Sequence, residues 1–195
     1  MKQIEITVKV NSSLNEVDDI LKEQGFNIIR TSRVEDKYMS NRFEKLTKDN
    51  ILDILKGCVL VRFLNVNNKE IFKKITYKDK VYSDSKVISE EKININVDSI
   101  EKSEKLFEKL GFKKIVEVNY DVIVYEKDGL ELAFQNVDNL GLLLEYEKNN
   151  DYTGYSDEDI MHEKEKMLEE IRKLKIDIEN DYDVKKAYEL IYKKL

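Results

Sequence analysis

Apolar and polar residues alternate in the run Ile4-Glu5-Ile6-Thr7-Val8-Lys9-Val10 near the start of the chain. Side chains alternate faces along a strand, so Ile4, Ile6, Val8 and Val10 form one face and Glu5, Thr7 and Lys9 the other. Further short strands are expected over Cys58–Asn65, Glu70–Tyr77, Lys86–Val97, Leu130–Val137 and Leu142–Lys148, with charged residues recurring on their polar faces. This patterning predicts a sheet curled round a charged interior instead of an apolar one.

Two helices share one design. Ser13–Phe26 and Ser99–Phe112 each start at a serine cap, carry an amphipathic stripe and end in Gly-Phe, as N-cap and C′ chemistry require. Strands are expected after each: Asn27–Ile29 and Arg33–Met39 in the first half, Lys114–Tyr120 and Val122–Glu126 in the second. The spacing predicts one domain over 1–195 built from two pseudo-repeated halves, about 1–85 and 86–195. A third helix is expected over Ser156–Lys173, a last one over about Asp183–Leu195, and a short helix or loop over Lys45–Lys56. Asn67-Asn68 and Lys127-Asp128-Gly129 read as hairpin turns. About eight antiparallel strands with helices outside make an α+β, barrel-like sheet.

Composition narrows the chemistry. A net charge of -6 gives no general drive toward nucleic acid or anionic membrane. No basic helix supports DNA binding, and the six glycines form no Gly-x-Gly-x-x-Gly. Cys58 is the single cysteine; no intrachain disulfide can form, which fits a reducing, cytoplasmic setting, and the residue reads as a small buried hydrophobe. His162, the single histidine, falls in a Glu/Lys-rich helix and reads as exposed. Zinc and Cys/His nucleophile chemistry therefore lack ligands, and a bound metal would be held by carboxylates, which suits Mg²⁺ or Mn²⁺. No apolar run of about 18 residues and no signal peptide are visible. The oligomeric state stays open, a homodimer included.

The polar faces form a set. Arg62 interrupts an apolar run, Lys74, Thr76 and Lys78 line up, Glu90 and Lys92 share a face, and Glu145 and Glu147 follow Leu142–Leu144. Cations of this kind neutralise phosphate oxygens, and carboxylates hold the divalent ions that bridge them. Displacement at phosphorus then needs mainly positioning and charge stabilisation.

In this order the residues resemble the CYTH family, the triphosphate tunnel metalloenzymes, across essentially the whole chain. The resemblance is carried by Glu5-Ile6-Thr7-Val8-Lys9, Asp36-Lys37-Tyr38, Val61-Arg62-Phe63-Leu64, Ile75-Thr76-Tyr77-Lys78, the block Val137–Glu147 and the tail Lys186-Ala187-Tyr188-Glu189-Leu190-Ile191. It implies a closed or nearly closed eight-stranded antiparallel tunnel. It also implies Mg²⁺ or Mn²⁺ on Glu5, Glu90, Glu145 and Glu147. Lys9, Arg62 and Lys78 would grip and activate the phosphates, with Lys74 and Lys186 as further contacts. The ligand would be a nucleotide, thiamine or inorganic triphosphate, and the activity that of a triphosphatase or class IV adenylate cyclase. Charged positions of the family pattern are replaced at Thr7, Leu64, Lys92, Asn119 and Gln135. These losses leave open a catalytically impaired relative that binds a phosphorylated ligand or serves as a scaffold.

Overall fold

The computed structural model describes residues 4–42, 44–83, 86–148 and 150–195, with the side chains of 79–91 outside that description. Eight strands and five helices follow in the order β1 (Ile4–Lys9), α1 (Leu14–Glu23), β2 (Asn27–Ser40), α2 (Ile51–Lys56), β3 (Val59–Val66), β4 (Glu70–Ser83), β5 (Lys86–Asn96), α3 (Ile100–Lys109), β6 (Lys113–Lys127), β7 (Leu130–Val137), β8 (Gly141–Lys148), α4 (Asp157–Arg172) and α5 (Lys186–Tyr192). One antiparallel sheet runs β1-β8-β7-β6-β2-β3-β4-β5. The two strand pairs expected after α1 and α3 are single long strands. No residue inside β2 or β6 takes a positive φ, so no turn divides them. Register shifts at Ile28/Arg30 and Tyr38/Met39 absorb the irregularity instead, and such bulges sharpen local twist.

Local chemistry explains the element ends. Ser13 accepts from the Glu16 amide while Glu16 returns to the Ser13 amide, a full capping box on α1. Ser99 caps α3 in the same position. Asn67 and Asn68 take φ of 50° and 54°, and Asp128 and Gly129 take 50° and 84°. Asp128-Gly129 is the left-handed pair that a two-residue hairpin needs, with Lys127 paired to Leu130, whereas Val66 pairs with Glu70, so the β3–β4 loop has three residues, 67–69.

The two sheet faces pack against different helices. Ile4, Ile6, Val8, Leu132, Phe134 and Leu144 bury outward against Val17 and Leu21 of α1 and Ile160, Met167 and Ile171 of α4. The concave face is mixed. At one end Val34, Val116, Val118, Tyr120, Val137 and Leu143 pack with Ile51 of α2 and Ala187, Leu190 and Ile191 of α5. The interior, expected to be charged, thus also holds an apolar cluster, and two helices pack on it.

The expected closure is met in part. No backbone ladder joins β1 to β5 among the described residues. The free edge of β1 is taken by residues 177–184 instead. Thr7 donates to the Tyr182 carbonyl at 3.0 Å and accepts from the Val184 amide at 3.1 Å, while Asn11 and Lys9 bond Asp177 and Glu179. Side chains cross the remaining gap, as Lys92 of β5 reaches Glu5 of β1 at 3.5 Å. No helix is long and apolar enough to cross a membrane among the described residues.

Ile6 is fully buried in the outer core. Ile6→Ala should lower unfolding free energy by about 2–5 kcal/mol, read as a shift of the urea midpoint at unchanged slope.

Candidate functional site

The concave face opens into a cavity of about 870 Å³, its open mouth included. Seven elements of structure contribute to it, β3 through Leu60. β1 supplies Glu5 and Thr7, β8 supplies Glu145, β4 supplies Lys78, β2 supplies Tyr38, α2 supplies Lys56, and the stretch entering α5 supplies Asp183, Lys185 and Lys186. Register explains the convergence. Glu5 lies opposite Glu147 and Thr7 opposite Glu145, so three carboxylates and a hydroxyl share one face of two adjacent strands.

Lysines meet these carboxylates. Lys186 Nζ donates to Gln135 Oε1 at 2.5 Å and to Glu145 Oε2 at 3.2 Å, and it lies 4.7 Å from the centre of the Tyr120 ring. Lys92 Nζ lies 3.5 Å from both Glu5 Oε2 and Glu147 Oε1. Burial opposes the charge on Glu145 and Glu5 adds to that. The ammonium of Lys186, helped by Lys78 and Lys92, nevertheless holds the carboxyl below its ordinary range. Glu147 moves the other way: burial raises it, Glu5 and Glu145 add repulsion, and Lys92 offsets only part of this. Burial also raises Tyr38 and Tyr120 well above the ordinary phenol value, so both hydroxyls keep their protons at neutral pH.

Arg62 is committed to a protein partner. Its Nε and Nη2 donate to the two oxygens of Asp36, each at 2.6 Å. Tyr120 closes the group, donating to Asp36 Oδ2 at 3.4 Å. Asp36 and Arg62 are Cα partners on β2 and β3, and the carboxylate is 2% exposed. Burial works against the guanidinium, but Asp36 keeps its pKa raised well above the ordinary value.

Of the residues singled out from sequence, the cavity gathers Glu5, Lys78, Glu145 and Lys186, with Glu147 beside Glu5 across Lys92. Lys9 instead lies 3.8 Å from both Glu179 and Glu189, and Lys74 lies 5.5 Å from the Phe72 ring centre. The side chain of Glu90 lies outside the described residues. Among the described residues no three carboxylate, imidazole or thiol groups are gathered to hold a metal ion.

Positions read as losses acquire partners here. Gln135 accepts from Lys186, Lys92 spans two glutamates, and Leu64 packs against the inner core. Asn119 is not a concave-face position. The neighbours Val118 and Tyr120 point inward, while Asn119 bonds Glu117 on the other face. Lys56, Asp183 and Lys185 escaped sequence reasoning. Lys185 pairs with Asp183 at 2.5 Å, but both sit in an irregular stretch without periodicity. Cys58 is buried as expected; its thiol donates to the Ile54 carbonyl and burial pushes it up to about 11. His162 is exposed on α4.

No family model matches the chain. A protein of Methanocaldococcus jannaschii described as a candidate adenylate cyclase is 29% identical over 191 residues, covering 96% of this chain and 97% of its own. The PH1819 protein of Pyrococcus horikoshii has a similar structure, with a TM-score of 0.71, 21% identity, and coverage of 98% of this chain and 100% of its own. A Hippeastrum protein, described as a candidate adenylyl cyclase with a dominant triphosphatase activity, superposes with a TM-score of 0.60 at 13% identity, covering 100% of this chain and 96% of its own.

Two outcomes test this geometry. Asp36→Ala strands the Arg62 charge and should cost on the order of 3 kcal/mol, whereas the double change Asp36→Leu/Arg62→Met should cost less; urea unfolding separates them. Glu147 binds its proton more tightly folded than unfolded, so its ionisation subtracts stability as pH rises above about 4.5. Glu147→Gln should gain on the parent between pH 4 and 7, and equal differences at both pH values would contradict the assignment.

Proposed function

We propose that this chain, which belongs to the CYTH family, binds a triphosphate-containing small molecule or inorganic polyphosphate in the cavity between β1, β4, β8 and α5. On this reading it acts as a triphosphatase or as a class IV-type adenylate cyclase. The observation that carries the proposal is the meeting of Lys78, Lys186, Lys56 and Lys185 with Glu5 and Glu145 around one cavity. The described activities of the Methanocaldococcus and Hippeastrum proteins support the same substrate class.

Lys78 and Lys186 are the residues best placed to meet phosphate oxygens. Both residues line the cavity, and charge-assisted bonds to phosphate are about twice as strong as neutral ones. Tyr38 lines the same space and keeps its proton, so its hydroxyl can donate as well. Arg62, held at both ends of its fork by Asp36, braces β2 against β3 and leaves direct anion contact to the lysines. Water attacking the terminal phosphorus would release phosphate. A ribose hydroxyl attacking the α-phosphorus would give cyclic AMP and pyrophosphate. In either case the lysines stabilise charge developing on the phosphate oxygens.

Mg²⁺ or Mn²⁺ takes hard oxygen donors, and Glu5, Glu145 and Glu147 are donors of that type. Their arrangement does not fit a protein-held ion. Glu5 and Glu147 share Lys92, Glu145 faces Lys186, and the described residues gather no set of three such ligands. On the phosphate side, charge stabilisation falls to the lysines that line the cavity with Glu5 and Glu145.

The test is incubation with ATP, thiamine triphosphate and tripolyphosphate, with and without Mg²⁺ or Mn²⁺, at neutral and alkaline pH. Phosphate and cyclic AMP are measured separately and thermal stabilisation in parallel. At least one triphosphate should stabilise the protein and be turned over. Lys78→Ala and Lys186→Ala should each weaken its binding about tenfold, or ~1.4 kcal/mol. Stabilisation without product would overturn the enzymatic part, and neither response with any triphosphate would overturn the whole reading.

A further inference from the structure

We propose that Lys92 is a built-in counter-ion that takes the place of a protein-held divalent cation between Glu5 and Glu147. Three observations carry this. The ammonium is 3.5 Å from an oxygen of each glutamate, and the three side chains are 24%, 17% and 29% exposed. The two glutamates are opposed across the β1–β8 pair, and Lys92 reaches both of them from β5. The third carboxylate, Glu145, is 3.2 Å from Lys186, whose other bond goes to Gln135. Ammonium groups thus stand beside all three carboxylates.

The physical argument is competition. A magnesium ion needs near-octahedral oxygen coordination at about 2.0–2.1 Å and sheds water reluctantly. To enter here it must displace an ammonium that is covalently tethered and never diluted. A tethered group competes as if present at millimolar concentration or more. A lysine is a single compact charge with three donors, enough to hold two carboxylates together without drawing them into a coordination shell. Lys92 also spans the seam where, among the described residues, β5 and β1 share no ladder, so the same contact joins the two sheet edges.

One half of the inference concerns metal alone. The other half, that anion binding does not need a metal held by these glutamates, rests on the proposed triphosphate site.

The experiment titrates Mn²⁺ by electron paramagnetic resonance into the whole protein without any phosphate compound. The parent should show no Mn²⁺ site tighter than about millimolar. Lys92→Glu, which adds a third carboxylate, should bind Mn²⁺ at least tenfold more tightly. Lys92→Gln, which removes only the charge, should give a smaller gain and serves if Lys92→Glu does not fold. Parent protein binding Mn²⁺ as tightly as either variant would overturn the role of Lys92. A second arm measures tripolyphosphate binding by calorimetry with EDTA or with Mg²⁺. The parent dissociation constant should change less than threefold between them, while Lys92→Glu should need Mg²⁺ for tight binding. Loss of parent binding in EDTA alone would overturn metal independence. Absence of tripolyphosphate binding under both conditions would overturn both metal independence and the proposed function, while the Mn²⁺ arm still decides Lys92.

Discussion

Two hydrogen bonds on Thr7 set the architecture of the site. Its amide and carbonyl, at the edge of β1 that faces away from β8, bond Tyr182 and Val184. A backbone edge already paired cannot form a second ladder, so along this stretch β1 is sealed by the C-terminal segment and not by β5. Among the described residues the sheet remains an open eight-stranded curl in its hydrogen bonding. The same segment leads directly into α5 and carries Asp183, Lys185 and Lys186 into the mouth of the cavity. Edge protection and site assembly are one event, a common solution to the hazard of an exposed strand.

The concave face is then divided by what fills it. Helices α2 and α5 cover part of it with aliphatic side chains, carboxylates, lysines and the Asp36–Arg62 pair line the rest, and Tyr120 belongs to both, packed in the apolar cluster and bonded to Asp36. Burying so many charges is tolerable only because they are paired. Arg62 is held bidentately by Asp36, Lys186 by Glu145 and Gln135, and Lys92 by Glu5 and Glu147. The opposite shifts of Glu145 and Glu147 follow from this pairing. Lys186 stabilises one carboxylate, while the other answers mainly to burial and to its neighbours' negative charge.

Replacements that look like deletions in the one-dimensional pattern acquire other roles when their neighbours are known. Lys92, in place of an acid, neutralises two acids on other strands. Gln135, also in place of an acid, accepts from the lysine that faces Glu145. Asn119 lies off the cavity, because β6 turns its neighbours Val118 and Tyr120 inward; a one-residue difference in register moves a side chain to the opposite face.

The sequence by itself determined the elements and much of their facing. Alternation placed Glu5, Glu145 and Glu147 on the polar side of their strands, serine caps and Gly-Phe ends marked α1 and α3, and paired Asn or Asp-Gly marked the hairpins. These are local properties, written in a period of two or in a few adjacent residues. Only the tertiary structure decided that Arg62 belongs to Asp36, that Lys9 leans toward Glu179 and Glu189, that part of the interior is apolar, and that the C-terminal segment takes the free edge of β1. Each of these depends on which residue, far away in the chain, presents the opposite charge or the free backbone edge at a given point. No local pattern encodes that distance.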